Sequence, residues 1–163
     1  MTLCPATPDD AALVCELVRE LAEYEKATAD DVSATSDAFR AALAPDASPR
    51  LHAVLAFADD GEAAGFALFF PAFSTWRANW GLYLEDLFVR PVYRGQGIGL
   101  ALFRAVAAAA VERGAARLEW VVLDWNELAL DFYRQLGAEA LDDWTKMRLT
   151  GDALAGLADG ADG

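Results

Sequence analysis

Residues that bind metals or form disulfides are scarce in this sequence. Its 163 residues include two cysteines, Cys4 and Cys15, and one histidine, His52. Two cysteines build neither a disulfide framework nor a metal cluster, and they favour a reduced, cytoplasmic setting. Without a second histidine, a His-rich zinc site and Ser-His or Cys-His catalysis are disfavoured. We therefore interpret His52, at the start of an apolar run, as structural and predict no metal site.

Positive charge is also scarce. Thirteen Lys and Arg residues stand against 26 Asp and Glu residues, which gives a formal net charge of −13 and a pI near 4.3. A nucleic-acid partner needs a basic face that neutralises phosphates, so none is expected. The acidic balance suits either a cationic substrate or simple solubility.

Long apolar runs are missing as well. The N-terminus has no basic stretch followed by an apolar core, and no apolar run is long enough to cross a bilayer, so we expect neither a signal peptide nor a membrane partner. The content of 55% apolar and 11% aromatic residues is typical of a packed globular protein. One domain is predicted over residues 1–158, followed by a disordered tail over residues 159–163.

Hydrophobic periodicity and turn residues predict a mixed α/β arrangement. Strands are predicted at residues 2–5, 51–58, 63–70, 80–89 and 118–123, with a strand or hairpin arm at 141–149; helices are predicted at residues 8–26, 36–43, 97–113 and 126–136, and from Thr150 onward. The Gly-containing turn at residues 59–62 predicts a β-hairpin. Phe73 and Trp76 fall in a predicted loop, residues 71–79, where they cap the core, wall a pocket or meet a partner, and we favour the first.

A glycine-rich turn opens the alanine-rich helix. Its sequence is Arg-Gly-Gln-Gly-Ile-Gly, residues 94–99. Glycine lets the backbone approach a ligand closely, and the N–H groups of a first helical turn bind phosphate well. The turn is not a Walker A loop, because no Gly-Lys-Ser or Gly-Lys-Thr follows, and Leu100 stands where a dinucleotide fingerprint needs its third glycine. The alternative is a tight strand-to-helix connection without a ligand.

Two adjacent carboxylates, Glu85 and Asp86, interrupt the apolar strand before this turn. Regular strand alternation would send them to opposite faces, so they could share one ligand only across a β-bulge. A carboxylate in this apolar context could bind a cationic amine or accept its proton. The alternative is an ion pair with an arginine such as Arg90 or Arg117.

Tyr133 lies in the predicted helix over residues 126–136. Leu128, Phe132 and Leu136 are spaced as a core stripe, and Tyr133 is about one hundred degrees away from that stripe. Its phenol could act as a general acid at the edge of a cleft. The alternative is an ordinary half-buried tyrosine.

These segments resemble the GNAT (Gcn5-related) N-acetyltransferases. Residues 94–99 fit that family's R/Q-x-x-G-x-G/A loop for the acetyl-CoA pyrophosphate. Tyr-Leu-Glu-Asp-Leu-Phe-Val at residues 83–89, Leu-Asp-Trp-Asn at 123–126 and Phe-Tyr-Arg-Gln-Leu-Gly-Ala at 132–138 look like the diamine (spermidine/spermine) and thialysine acetyltransferase branch. The likeness covers nearly the whole chain.

The resemblance implies a single-domain α/β (α+β mixed) fold, in which helices flank a mostly antiparallel sheet whose central strands splay apart to admit the pantetheine arm. It implies that the amine of a polyamine, diamine or thialysine-like amino acid attacks the thioester of acetyl-CoA directly. A homodimer is also expected. The competing interpretations are acetylation of a protein or peptide amine, and a non-catalytic acyl-CoA-binding module.

The resemblance also assigns roles to residues. Tyr133 would protonate the CoA thiolate, and Glu85 would assist deprotonation of the amine through water. The residues implied to bind acetyl-CoA are Leu87, Phe88, Val89, Arg94, Gly95, Gln96, Gly97, Ile98, Gly99, Asn126 and Tyr133. Those implied to bind the cationic substrate are Tyr24, Glu25, Glu85 and Asp86.

Overall fold

The computed structural model describes residues 1–28 and 31–160. Its strands are β1 (Thr2–Pro5), β2 (His52–Phe57), β3 (Ala63–Ser74), β4 (Asn79–Val89) and β5 (Leu118–Glu119); its helices are α1 (Ala11–Tyr24), α2 (Ser36–Leu43), α3 (Ile98–Glu112), α4 (Glu127–Gln135) and α5 (Gly151–Ala158). Short 3-10 turns lie at Pro8–Asp10 and Pro91–Tyr93. The chain divides into two compact units, Met1–Val121 and the residues from Val122 onward.

The first unit contains a five-stranded sheet in the order β1-β2-β3-β4-β5. Neighbours from β1 to β4 are antiparallel, and β5 runs parallel to β4. Helices pack on the sheet, so the predicted mixed α/β class with a mostly antiparallel sheet is confirmed.

Two apolar cores cover the two faces of this sheet. On one face, Ile98, Leu102 and Val106 of α3 pack on the Leu82 and Leu84 side of β4. On the other face, α1 and α2 pack on a cluster that includes Leu68 and Phe88. Successive strand residues point to opposite faces, so β2, β3 and β4 each contribute to both cores. We call them the α3-side core and the α1-side core.

The β-hairpin of β3 and β4 has a short loop, because β3 is longer than predicted. β3 continues to Ser74, so only residues 75–78 form the loop, and the predicted loop over residues 71–79 is wrong. Pro71 pairs with Leu82 at a position beyond the end of β2, whose last pair is His52 with Phe69. A proline is tolerated there because β3 has a ladder partner on only one side.

The aromatic residues of this hairpin do not cap the core, which corrects the interpretation we favoured. Trp76 is 89% exposed and Phe73 is 49% exposed. Phe73 packs edge-on against Trp80, with ring centroids 5.2 Å apart. His52, by contrast, stacks on Phe69, and burial lowers the pKa of its imidazole, in keeping with a structural role.

Two predicted strands near the end of the chain are shorter or missing. The strand expected over residues 118–123 comprises Leu118–Glu119 only. Residues 141–149, all of which the structure describes, contain no strand, and Leu141, Trp144 and Met147 remain exposed. These three are spaced by three residues rather than two, so an extended chain cannot place them on one face.

The second unit contains α4 and α5. The predicted stripe of Leu128, Phe132 and Leu136 is not a core stripe, because Leu128 is 65% exposed and Leu136 is 40% exposed. The half-buried residues of α4 are instead Ala129, Leu130, Phe132 and Tyr133. Asp159 caps α5, and residues 161–163 of the predicted tail lie outside the described residues.

The other element boundaries match the predictions closely. Strand β1 and helix α2 have the predicted bounds, and α1 ends at Tyr24, two residues before the predicted end. Within residues 1–28 and 31–160, no helix is long and apolar enough to cross a membrane.

Candidate active site

A β-bulge lies at Glu85. In the ladder between β3 and β4, Leu68 pairs with Asp86 and the next residue, Phe69, pairs with Leu84, so Glu85 has no opposite residue in that ladder as the structure describes it. This is the irregularity that the two adjacent carboxylates required if they were to serve one ligand. Bulges of this kind redirect side chains and often occur beside active sites.

The bulge turns both carboxylates towards the α1 side of the sheet. Before it, Leu82 and Leu84 belong to the α3-side core; after it, Leu87 packs on that same core while Phe88 belongs to the α1-side core. The alternation of side chains between the two faces of the sheet therefore shifts by one residue between Leu84 and Leu87. Glu85 and Asp86 both fall on the side of α1, where regular alternation would have separated them.

A third carboxylate, Glu25, lies near this pair. Glu25 is the C-cap of α1. Burial raises the pKa of Asp86 to about 7, and the negative charges of Glu85 and Glu25 add to the shift. Desolvation also raises the pKa of Glu25. Two negative charges therefore oppose the ionisation of Asp86, and a bound cation would stabilise its charged form.

The arginines that could have neutralised these carboxylates are engaged elsewhere. Arg90 forms a bidentate ion pair with Glu20 of α1, with Nε–Oε2 and Nη2–Oε1 distances of 2.8 Å and 2.6 Å, and also binds Glu16. Arg117 pairs with Glu119 at 2.8 Å. The alternative interpretation of Glu85 and Asp86 as partners of Arg90 or Arg117 is therefore wrong.

The glycine turn leads from β4 into α3. Gly95 and Gly97 have φ angles of 75° and 80°, which favour glycine, and Gly97 is the N-cap of α3. A Cβ at either glycine would meet no described atom within 4 Å, so both face open space. Within the described part of the chain, no side chain caps α3, which leaves the first-turn N–H groups to another acceptor. The turn therefore suits an anion such as a pyrophosphate.

The edge of β4 beside this turn is open over residues 84–89. In the part of the chain that the structure describes, the ladder between β4 and β5 has two pairs, Leu82 with Leu118 and Tyr83 with Glu119. Trp120 then packs against Phe103 of α3, with ring centroids 5.2 Å apart. Residues 87–89 pair with β3 on their other side. The ladder between β4 and β5 therefore ends at Tyr83, just ahead of the bulge. The splay of the central strands that the resemblance implied stays a prediction.

Arg94 and Tyr24 join the turn to α1. The Cζ atom of Arg94 lies 4.3 Å from the centroid of the Tyr24 ring. Arg94 Nε donates a hydrogen bond of 2.9 Å to the carbonyl oxygen of Val89. No sequence signal indicates the contact with Tyr24, because 70 positions separate the two residues and neither belongs to the other's motif.

Asn126 and Tyr133 lie together in the second unit. Asn126 is the N-cap of α4, and its side chain accepts a hydrogen bond from the Ala129 N–H at 3.2 Å. Seven residues are about two helical turns, so Tyr133 lies on the same face of α4 as Asn126. Burial raises the pKa of Tyr133 to about 12, and the phenol is protonated at neutral pH.

Comparisons with known proteins agree with this geometry. Residues 15–138 match the model of the acetyltransferase (GNAT) family. The chain belongs to this family. The thialysine N-epsilon-acetyltransferase of Bos taurus is 38% identical over 163 residues, covering 94% of each protein. The resemblance to the diamine and thialysine branch is thereby confirmed, and this GNAT protein is an acetyl-transferring enzyme.

Two further proteins extend the comparison. The L-ornithine N5-acetyltransferase of Arabidopsis thaliana is 48% identical over 99 residues, which are 61% of this chain and 43% of that protein, so the match spans less than half of that relative. The structure of an integron cassette protein from V. cholerae has a TM-score of 0.79 and 25% identity, and the alignment covers 96% of both chains. The GNAT fold of this chain is therefore shared over almost its full length.

The expected absence of a metal stays a prediction. Among residues 1–28 and 31–160, no group of three His, Cys, Asp or Glu side chains is arranged as a metal site.

Proposed function

We propose that this enzyme transfers the acetyl group of acetyl-CoA to the amine of a small cationic substrate: a polyamine, a diamine or a thialysine-like amino acid. The observation that carries the proposal is the bulge at Glu85, which brings Glu85 and Asp86 to one side of β4 beside Glu25. Three carboxylates there favour a substrate with more than one positive charge.

The donor half of the proposal rests on the glycine turn and the open edge of β4. The uncapped N-terminus of α3 and the space in front of Gly95 and Gly97 suit the pyrophosphate, to which Arg94 would add a charged contact. The remaining turn residues in this role are Gln96, Ile98 and Gly99. The backbone of Leu87, Phe88 and Val89 would hydrogen-bond the pantetheine arm and polarise the thioester carbonyl. Acetyl-CoA supplies the activated acyl group.

Proton handling is proposed for three residues. Glu85 assists removal of the amine proton through water, and Asp86 holds the cation. Tyr133 donates a proton to the departing thiolate, a role supported by its protonated state at neutral pH. Asn126, on the same face of α4, contacts the donor. These roles follow the resemblance, while the pKa of Asp86, about 7, makes Asp86 a second candidate for the proton acceptor.

A thiol-release assay with acetyl-CoA and a panel of amines tests the proposal. The panel contains spermidine, putrescine, thialysine, ornithine and a lysine-containing peptide, and CoA binding is measured in parallel by calorimetry. We expect turnover with one or more of the small amines and little with the peptide. Turnover confined to the peptide would favour the protein-directed alternative. CoA binding without turnover on any amine would favour the non-catalytic module.

The homodimer and the cytoplasmic setting remain parts of the proposal. The homodimer follows from the resemblance, and the cytoplasmic setting follows from the small number of cysteines. Sedimentation of the purified chain tests the homodimer.

A further inference from the structure

The guanidinium of Arg94 is held on several sides before any ligand binds. Its Nε donates a hydrogen bond of 2.9 Å to the carbonyl oxygen of Val89. Its Cζ lies 4.3 Å from the centroid of the Tyr24 ring and 6.0 Å from that of the Phe88 ring. A cation over an aromatic face is attracted by the ring's quadrupole. The two Nη groups carry four further donors, a set suited to paired contacts with phosphate oxygens.

Tyr24 occupies a position between the two halves of the proposed site. It is the last residue of α1, and the next residue is Glu25, whose charge acts on Asp86. The Tyr24 ring also packs against Phe88, with centroids 6.4 Å apart, and Phe88 follows Asp86 by two residues in β4. One helix end therefore contacts both the arginine of the glycine turn and the strand that carries the acids.

We propose that Tyr24 is a positioning residue for the acetyl donor: its ring fixes the Arg94 guanidinium in the orientation that binds the CoA pyrophosphate. The inference rests on the proposed acetyl-CoA site and departs from the role in amine binding that the resemblance implied for Tyr24. A long arginine side chain that is already ordered loses less conformational entropy when it binds a phosphate.

The chemistry of the two roles separates them. A positioning role depends on the aromatic ring, whereas a role in binding the cationic amine through a hydrogen bond depends on the hydroxyl. Tyr24→Phe keeps the ring and removes the hydroxyl, and Tyr24→Leu removes both. The matched pair therefore assigns the role when both variants are compared in the folded state.

The test is calorimetric titration of the full-length chain with CoA, together with steady-state kinetics on the best amine. We expect Tyr24→Leu to raise the Kd for CoA about three- to tenfold, and Tyr24→Phe to keep it within about twofold. In an Arg94→Gln background, Tyr24→Leu should raise the Kd no further, because the ring has lost the cation that it positions. The melting temperature of each variant is measured to choose a temperature at which all are folded.

Three outcomes would overturn the inference. They are an unchanged Kd for CoA in Tyr24→Leu, a Tyr24→Leu effect of the same size with and without Arg94, and a rise in the amine KM for Tyr24→Phe equal to that for Tyr24→Leu. Failure of the proposed function is distinguishable, because it appears in the wild-type enzyme as absent turnover, whereas these outcomes appear only on comparing the variants.

Discussion

At the scale of single residues, Tyr133 and Asp86 have pKa values that suit opposite halves of a proton transfer. Burial raises the pKa of Tyr133 to about 12, so the phenol keeps its proton throughout the neutral range. Burial and two neighbouring carboxylates raise the pKa of Asp86 to about 7, so this acid ionises within the same range. The protein environment thus separates a group that stays a donor from a group that becomes an acceptor.

Replacing Tyr133 by Phe tests the donor role. The variant keeps the ring and its packing and loses only the proton that the thiolate would receive. We expect kcat to fall about a hundredfold or more, with little change in the KM of either substrate, because proton transfer acts in the transition state. The measurement is steady-state kinetics with acetyl-CoA and the best amine.

Tyr93→Phe is the matched control for this substitution. The Tyr93 hydroxyl donates a hydrogen bond of 3.0 Å to the exposed Asp60, and no role in the reaction is proposed for either residue. The control should retain most of the wild-type kcat. If Tyr133→Phe did the same, the general-acid role would be wrong.

Replacing Asp86 by Asn tests the site that binds the cation. In the wild-type enzyme, kcat/KM for the amine should rise with pH through about 7 as Asp86 ionises, since a charged carboxylate binds the ammonium. Asp86→Asn should lower kcat/KM at pH 8 and abolish this limb of the profile. Glu85→Gln should keep the limb and move it to lower pH, because one of the charges that raises the pKa of Asp86 is gone.

Stability provides a second measurement on the same variant. Folding raises the pKa of Asp86 above its ordinary value of 3.8, so the folded state holds its proton more tightly than the unfolded state. The resulting stabilisation is complete at low pH and is lost as the pH rises through about 7. Asp86→Asn should therefore raise the melting temperature more at pH 8 than at pH 5. An equal shift at both values would mean that Asp86 does not titrate in this range.

At the scale of elements, Arg90 ties α1 to the sheet. Its side chain, 19% exposed, pairs with Glu16 and Glu20 of α1, and its Nη1 donates a hydrogen bond of 2.7 Å to the carbonyl oxygen of Ala63 in β3. Arg90 directly follows β4, so one side chain joins the helix that precedes Glu25 to the hairpin that carries Asp86. The spacing of the three acids in the site depends on this attachment.

Arg90→Met should destabilise the fold by about 1–3 kcal/mol, because it leaves the half-buried Glu20 carboxylate and the Ala63 carbonyl without their charged partner. Urea unfolding monitored by fluorescence measures the effect. Arg40→Met is the control, since the pair of Arg40 with Asp9 is long, at 3.4 Å, and mostly exposed, and should contribute less than about 0.5 kcal/mol. Equal losses in the two variants would contradict the role of Arg90 as a tie between elements.

The elements that were predictable from sequence have strong local signals. Helix α2 begins after Thr35, whose hydroxyl accepts a hydrogen bond from the Ala38 N–H, and α3 begins at a glycine that no other residue replaces easily. The elements that were misread depend on distant partners. β3 continues through Pro71 because β2, which begins at His52 opposite Phe69, has no residue paired with Pro71. Residues 141–149 form no strand in the described structure, although they include several apolar side chains.

The features of the candidate site also differ in how far they could be predicted from the sequence. The glycine turn was recognisable from local chemistry, because three glycines before a helix have few other uses. The bulge was deduced only as a condition on Glu85 and Asp86, and its existence depends on how β3 pairs with β4. The contact of Tyr24 with Arg94 and the attachment of Arg90 to α1 were not predictable, because long-range pairing brings these residues together.

At the scale of the whole molecule, charge is the property with the clearest functional consequence. The formal net charge is −13, and the candidate amine site adds a local group of three acids. The two proposed substrates have opposite signs, since the amine is a cation and acetyl-CoA is an anion. The same field therefore raises the local concentration of one substrate and lowers that of the other.

Ionic strength should then act on the two substrates in opposite directions. Raising monovalent salt from about 0.02 M to 0.2 M shortens the Debye length from about 20 Å to less than 10 Å, which screens the field beyond the site's own contacts. We expect the KM of a triamine to rise several-fold and the KM of acetyl-CoA to fall or stay level over this range, as measured by steady-state kinetics with each substrate varied in turn. A singly charged amine is the control, and its KM should change less because the interaction scales with the charge. If the KM values of triamine and monoamine changed equally, the net charge would serve solubility alone, and recognition of the cation would rest on Glu25, Glu85 and Asp86 at contact distance.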